Sequence, residues 1–80
     1  MIGKVKMKQI LSRETGMSIR DITASGIYER FGTKERLTVG SYRLTYFDGE
    51  FRLTEPDYGT FEDDYVRSKT RILKEEQNEV

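Results

Sequence analysis

The chain has 80 residues, enough for one domain with a small core, and it contains neither histidine nor cysteine. This composition excludes Cys–His and Ser–His nucleophilic chemistry, imidazole or thiolate metal sites, and disulfides. We therefore expect no enzyme, no catalytic residue and no cofactor. Early lysines interrupt any signal-like run, and no stretch approaches the ~20 apolar residues of a membrane span. A soluble cytoplasmic protein with no membrane partner is the expectation.

The net charge is zero, but the charges are distributed unevenly along the chain. Residues 1–47 carry nine basic and four acidic side chains, whereas residues 48–65 carry one basic and seven acidic side chains. The basic half indicates a nucleic-acid partner. The acidic stretch indicates a protein partner, or a homodimer in which it meets the basic half of a second copy.

The first segment has two interpretations. The helical spacing of Met7, Ile10 and Leu11, followed by a glycine, predicts a helix over 6–15. The alternation of lysines with apolar residues over 4–8 is typical of a strand instead.

A second helix is predicted over 18–31. Ser18 is a good N-cap residue, and Asp21 completes a pattern similar to a capping box. Gly26 is unfavourable inside a helix by about 1 kcal/mol relative to alanine, so the alternative is a break there, with a separate element after it. The apolar stripe of this helix consists of Ile19, Ile22, Gly26, Ile27 and Phe31.

The Asp48-Gly49 pair between two alternating runs predicts a hairpin with a two-residue turn. The register places Leu44 opposite Leu53 and Tyr46 opposite Phe51 on one apolar face. Residues 37–39 are candidates for a further short strand. The opposite face of the hairpin is polar and partly basic, with Arg43, Thr45, Arg52 and Thr54.

The tail predicts a third helix, over 60–77. Thr60 and Asp63 form a second capping-box pair, and acids occupy the first turn. Its apolar stripe is Phe61, Tyr65, Ile72 and Leu73. The predicted fold is therefore one small α+β domain over residues 1–80, helix–helix–β-hairpin–helix and similar to a winged helix, with a body over 1–55 and this C-terminal helix.

The window around the first turn has the features of a helix–turn–helix. Ser12 is small enough for helices to pack closely, Gly16 suits a left-handed turn, Met17 fills the gap, and Ile22 faces the core six residues after the glycine. Over about 20 residues this window resembles the helix–turn–helix of bacterial and phage repressors and activators. It departs from their pattern in having Ser12 in place of alanine and Ser25 in place of an apolar residue.

The resemblance implies a non-enzymatic transcriptional regulator that binds duplex DNA through the second helix, with the hairpin as a wing. Base-edge contacts are then expected from Arg20 and Thr23, next to the cap residue Ser18. Phosphate contacts are expected from the flanking cations. These cations are Lys4, Lys6, Lys8, Arg13, Arg43 and Arg52.

The alternative function is a small inhibitor or adaptor of the kind that phages and mobile elements encode, which binds a larger protein partner. It would use the hairpin, the acidic loop or the tail helix. Phe47 lies on the polar face of the hairpin, and an exposed aromatic side chain there is a candidate contact residue. The acidic candidates are Asp57, Asp63 and Asp64.

Overall fold

The computed structural model describes residues 1–62 and 65–74, with side chains for 1–58 and 67–74. Two helices precede five strands that form one antiparallel sheet in the order β1-β2-β3-β4-β5, so each strand pairs with its neighbours in sequence. The architecture is α+β. The elements are α1 (Lys4–Thr15), α2 (Ile19–Ser25), β1 (Ile27–Phe31), β2 (Lys34–Val39), β3 (Tyr42–Phe47), β4 (Glu50–Glu62) and β5 (Tyr65–Leu73).

Both helices pack against the same face of the sheet, which we call the inner face. Strand side chains alternate between faces, so every second residue of the central strands faces the helices and is buried or half-buried. The alternation of β2 shows this clearly, because Leu37 and Val39 are buried between more exposed neighbours. The buried apolar core consists of Met7, Ile10, Leu11 and Ile22 from the helices and Leu37, Val39, Leu44, Phe51, Leu53 and Leu73 from the sheet.

The turn between the helices forms as the sequence predicts. Gly16 has a left-handed φ of 82°, and its N–H donates to the Ser12 carbonyl oxygen at 2.8 Å. The Ser12 hydroxyl donates to the Met17 carbonyl oxygen at 2.6 Å. Ser18 caps α2 by accepting from the Asp21 N–H at 3.0 Å. The helical interpretation of the first segment is thus confirmed, and the helix begins two residues earlier than expected.

α2 ends at Gly26, whose backbone is extended, and only glycine fits there because the helix end lies close against the sheet. A Cβ at this position would lie 2.5 Å from the Ile22 carbonyl oxygen and 3.2–3.3 Å from the side chains of Val39 and Leu37. The predicted helix over 18–31 is therefore wrong beyond residue 25. The alternative, a break at Gly26 with a separate element after it, is confirmed.

A buried carboxylate on β2 fixes the start of α1. Glu35 is 1% exposed and accepts hydrogen bonds from the N–H groups of Ile2 and Gly3 and from the Tyr28 hydroxyl, each at 2.8 Å. Burial raises the pKa of Glu35, but these hydrogen bonds outweigh it and hold the pKa below its ordinary value. Since α1 has no side-chain N-cap, this carboxylate also places negative charge at its positive end.

An arginine on β5 fixes the other end of α1. Arg71 donates to the Glu55 carboxylate at 2.7 Å, to the Glu14 carboxylate at 3.0 Å and to the Glu14 carbonyl oxygen at 3.5 Å. The Glu55 hydrogen bond is the main reason that the pKa of Arg71 is raised. Because one end of α1 is held by β2 and the other by β4 and β5, the helix crosses the strands.

The predicted central hairpin is confirmed in turn and register. Asp48 and Gly49 both have positive φ, and the pairs include Leu44 with Leu53 and Tyr46 with Phe51. The rings of Tyr46 and Phe51 lie 4.7 Å apart. The short strand expected over 37–39 is the end of β2.

The predicted third helix and the winged-helix-like fold are wrong. The stretch over 60–77 contains the end of β4, all of β5 and residues beyond them. Ile72 is 57% exposed whereas Leu73 is buried, because successive side chains of a strand point to opposite faces. Ile72 and Leu73 therefore do not share one apolar face, as the predicted helix requires. The other two members of the predicted stripe, Phe61 and Tyr65, have side chains outside those described.

Neither helix of the described residues is long and apolar enough to cross a membrane.

Candidate functional site

The face of the sheet opposite the helices, which we call the outer face, carries no covering element within the described residues. Over β1–β3 and residues 50–54 of β4 it is polar and basic with two aromatic side chains. Threonines and arginines alternate along and across its central strands, where Thr38 pairs with Arg43 and Thr45 pairs with Arg52. The outer face over β1–β3 and residues 50–54 of β4 consists of Ile27, Glu29, Phe31, Lys34, Arg36, Thr38, Arg43, Thr45, Phe47, Glu50, Arg52 and Thr54.

This part of the face has an excess of positive charge, with four cations and two carboxylates over β1–β3 and residues 50–54 of β4. Glu29 accepts from Arg36 at 2.8 Å, and Glu50 accepts from Arg52 at 2.7 Å. Both arginines are therefore held in place on the sheet. Lys34 and Arg43 form no ion pair within the described part of the chain, so the excess charge is theirs.

Two exposed aromatic rings lie at the end of the outer face that is bounded by the β1–β2 and β3–β4 turns. Phe31 is 49% exposed and Phe47 is 55% exposed. Phe31 pairs with Lys34, and the β2–β3 register continues to place Lys34 beside Phe47, so the three side chains form one row across three strands. Arg36 lies over the Phe31 ring, with its guanidinium carbon 4.8 Å from the ring centre. The row thus combines the exposed ring of Phe47 and a Phe31 ring covered on one face by a guanidinium with the positive charge of Lys34.

Open space adjoins Phe47 on two sides. On the outer face, a hollow of about 270 Å³ is lined by Lys34, Thr45, Phe47, Glu50 and Arg52. A second hollow, of about 400 Å³, lies around the end of the sheet, where Phe47 adjoins the Asp48-Gly49 turn and Tyr46. A planar group stacked on Phe47 would therefore meet both donors and acceptors at its edge.

The sequence-predicted contact residues of the helices lie on the other side of the molecule. By the helical repeat, Lys4 and Lys8 occupy one flank of α1, and Lys6 and Arg13 occupy the opposite flank. Arg13 lies within 3.4 Å of Glu14, its neighbour in the chain. The structure does not bring these four cations together.

One pair of predicted contact residues is joined by a hydrogen bond on the helix side. Lys8 donates to the Thr23 hydroxyl at 3.1 Å, so this part of α1 lies beside α2. Arg20 is exposed on α2, and the Ser18 hydroxyl is used as a cap. A hollow of about 280 Å³ beside these groups is lined by Val5, Lys8, Gln9, Ile19 and Thr23.

The predicted wing arginines are separated from the predicted recognition helix by the sheet itself. Arg43 and Arg52 are on the outer face, while Arg20 and Thr23 are on α2, which packs on the inner face. One short duplex therefore cannot meet both sets. The structure divides the sequence-predicted DNA site into a helix-side part and an outer-face part.

The acidic candidates form no cluster in the described part of the chain. Asp57 is half-buried on β4, and Asp63 and Asp64 lie outside the described residues. Where the structure describes the chain, no group of three or more acidic side chains is placed to hold a metal ion.

The sequence analysis missed Phe31, Lys34 and Arg36 as surface residues. Phe31 was assigned to the buried stripe of a helix, although Leu37 and Val39 alternate with the polar residues Arg36 and Thr38 after Gly32-Thr33. This one-sided alternation is a weaker form of the signal that located the hairpin at residues 48–49. Gly32 has a φ of 61°, which this turn requires.

The chain matches no protein-family model, and no curated protein or solved structure matches it significantly. The surfaces that bear on function are therefore the outer face of the sheet and the helix side.

Proposed function

We propose that the protein is a non-enzymatic, cytoplasmic nucleic-acid-binding protein that uses the outer face of its sheet. The observation that carries the proposal is the row of Phe31, Lys34 and Phe47 on a basic face that no element of the described residues covers. Nucleic-acid-binding sheets combine cations that meet phosphates with aromatic rings that meet bases.

The ion pairs of the outer face support this function. Glu29 and Glu50 orient Arg36 and Arg52 along the sheet without cancelling the charge of Lys34 and Arg43. Preoriented guanidinium groups lose less conformational freedom when they bind phosphate. Threonine hydroxyls between them supply further hydrogen-bond donors and acceptors.

The test is a salt titration of binding, measured by fluorescence anisotropy with labelled oligonucleotides of mixed sequence, as single strands and as duplexes. If the four outer-face cations meet phosphates, log Kd should change with log salt with a slope of about 3 for single strands. Lys34→Ala and Arg43→Ala should each lower that slope by about 0.7.

The matched controls are cations on the helix side. Lys6→Ala and Arg20→Ala remove the same charge from exposed positions on the helices. The proposal requires that these variants bind as the unmodified protein does. Absence of binding to any oligonucleotide at 50 mM salt would contradict it.

A second candidate function, binding of duplex DNA by the helix side, is favoured by one observation. The helix pair forms with its predicted turn and cap, and it leaves Arg20 exposed beside the Lys8–Thr23 contact. In that case Arg20→Ala should weaken binding by about 1–3 kcal/mol at a specific site, and Arg43→Ala should have no effect. If no nucleic acid binds, the alternative from the sequence, a protein partner that contacts Phe47 and Asp57, becomes the proposal to pursue.

A further inference from the structure

We infer that the outer face binds unpaired rather than duplex nucleic acid, with Phe47 and the stacked Phe31–Arg36 pair as platforms for two bases and Lys34 between them. This inference rests on the proposed function and adds the class of ligand to it. It is carried by three features of the described residues: the width of the face, the exposure of the two rings, and the hollow beside Phe47.

The outer face is too wide to enter a duplex groove where its five strands pair side by side, which is the part that carries Phe31 and Phe47. Five strands at the usual spacing of about 4.8 Å place the axes of β1 and β5 about 19 Å apart. The major groove of B-DNA is about 12 Å wide and admits a helix or a two-stranded ribbon. A broad sheet with β2 and β3 at its centre instead offers a platform across which a single strand can lie.

The two outer-face rings are exposed where a base could stack on them. Both project from the polar face next to charged side chains, whereas Phe51 on the inner face is buried. Phe31 already carries the Arg36 guanidinium on one face, and a guanidinium plane is itself a surface on which a base can stack. Two strand spacings, about 10 Å, separate Phe31 from Phe47. A strand that stacks one base at each ring therefore passes Lys34, which lies between Phe31 and Phe47 in the register and carries a cation suited to the intervening phosphate.

The hollow beside Phe47 supplies polar groups for the edge of a stacked base. Thr45 supplies a hydroxyl, Glu50 a carboxylate and Lys34 an ammonium group around the same space. The Watson–Crick edge of a base is exposed only when the base is unpaired, so these groups favour a single strand.

The test uses the absence of tryptophan from the chain. Phe47→Trp introduces a single fluorescent ring at the proposed platform, and Val5→Trp introduces one at an exposed position on the helix side. On titration with a twelve-residue oligouridylate or oligothymidylate, we expect strong quenching of the tryptophan at position 47 and none at position 5. A duplex of equal length should bind at least fivefold more weakly.

Phe47→Leu separates stacking from apolar contact, because leucine keeps a large apolar side chain and removes the π face. We expect this variant to bind the oligonucleotides about 5- to 100-fold more weakly, and Phe47→Trp to bind at least as tightly as the unmodified protein. A circular dichroism melting curve that matches that of the unmodified protein shows that the loss comes from binding.

The outcomes separate this inference from the proposed function. Equal affinity for duplex and single strand, with Phe47→Leu unchanged and Arg43→Ala weakened, would overturn the stacking inference and leave the proposed function standing. Absence of binding to every oligonucleotide at 50 mM salt would overturn both. Quenching at position 5 but not at position 47 would also contradict the inference.

Discussion

The two faces of the sheet are built from the same strands and have opposite properties. On β3, Leu44 is fully buried under the helices, while its neighbour Arg43 is exposed on the outer face. On β2, the carboxylate of Glu35 is buried and fully hydrogen-bonded, while Arg36 beside it lies on the surface. The inner face therefore supplies the contacts that fix the fold, and we expect substitutions on the outer face to have little effect on the free energy of unfolding.

The largest expected difference between the faces is in the free energy of unfolding that a core substitution removes. Leu44→Ala should lower the free energy of unfolding by about 2–5 kcal/mol, because it removes buried methyl groups and leaves a cavity. Arg43→Ala, one residue away, should change it by no more than about 0.5 kcal/mol. Urea denaturation of both variants measures the difference. Equal destabilisation by the two substitutions would mean that the outer face is also covered.

The second largest loss of stability is expected where α2 lies close against the sheet. Gly26→Ala should lower the free energy of unfolding by about 1–3 kcal/mol, because its Cβ would meet the Ile22 carbonyl oxygen and two core side chains. Ser25→Ala, at an exposed position, is the matched control. Thermal melting that leaves Gly26→Ala as stable as this control would contradict the packing of α2 on β2.

The carboxylate that holds α1 gives a smaller, pH-dependent effect. Its pKa is lowered on folding, so its stabilisation is present above the unfolded value of about 4.3 and is lost as pH falls through the folded value. Glu35→Gln should therefore cost about 1–2 kcal/mol at pH 7. The difference between Glu35→Gln and the unmodified protein should shrink as pH falls below about 4. A difference that stays constant between pH 7 and pH 3 would show that the charge of Glu35 has no role.

Much of the inner face could be predicted from the sequence. The alternation around Asp48-Gly49 predicts the hairpin, its register and the burial of Leu44 and Leu53. The turn residues predict the helix pair, because Gly16 and Ser18 act through local backbone geometry. These elements could be predicted because each depends on residues close together in the sequence.

The remaining elements depend on contacts between distant residues. The Thr60–Asp63 pattern is typical of a helix start, yet β5 forms because its Leu73 completes the core opposite Phe51. Similarly, Phe31 falls at helical spacing from Ile27, so the local sequence favours one long helix. The close approach of Gly26 to β2, which requires the helix to end there, appears only in the folded chain. The outer-face row was missed for this reason, since it exists only when β1 and β2 are recognised as strands.

The smallest expected effects on stability belong to the outer face, where the same substitutions should affect binding strongly. Lys34→Ala and Phe47→Leu should each leave the urea midpoint within the change expected for about 0.5 kcal/mol. A larger loss of stability would mean that these side chains support the fold, and the contrast between the faces would be weaker than described.

The most direct test of the central claim is a nuclear magnetic resonance titration of the ¹⁵N-labelled protein with an oligouridylate of twelve residues. We predict that the amide signals of β1, β2 and β3 around Phe31, Lys34 and Phe47 shift as the oligonucleotide is added. Those around Lys6 and Arg20 on the helices should remain in place. Shifts confined to α1 and α2, or no shifts at low salt, would contradict the assignment of nucleic-acid binding to the outer face.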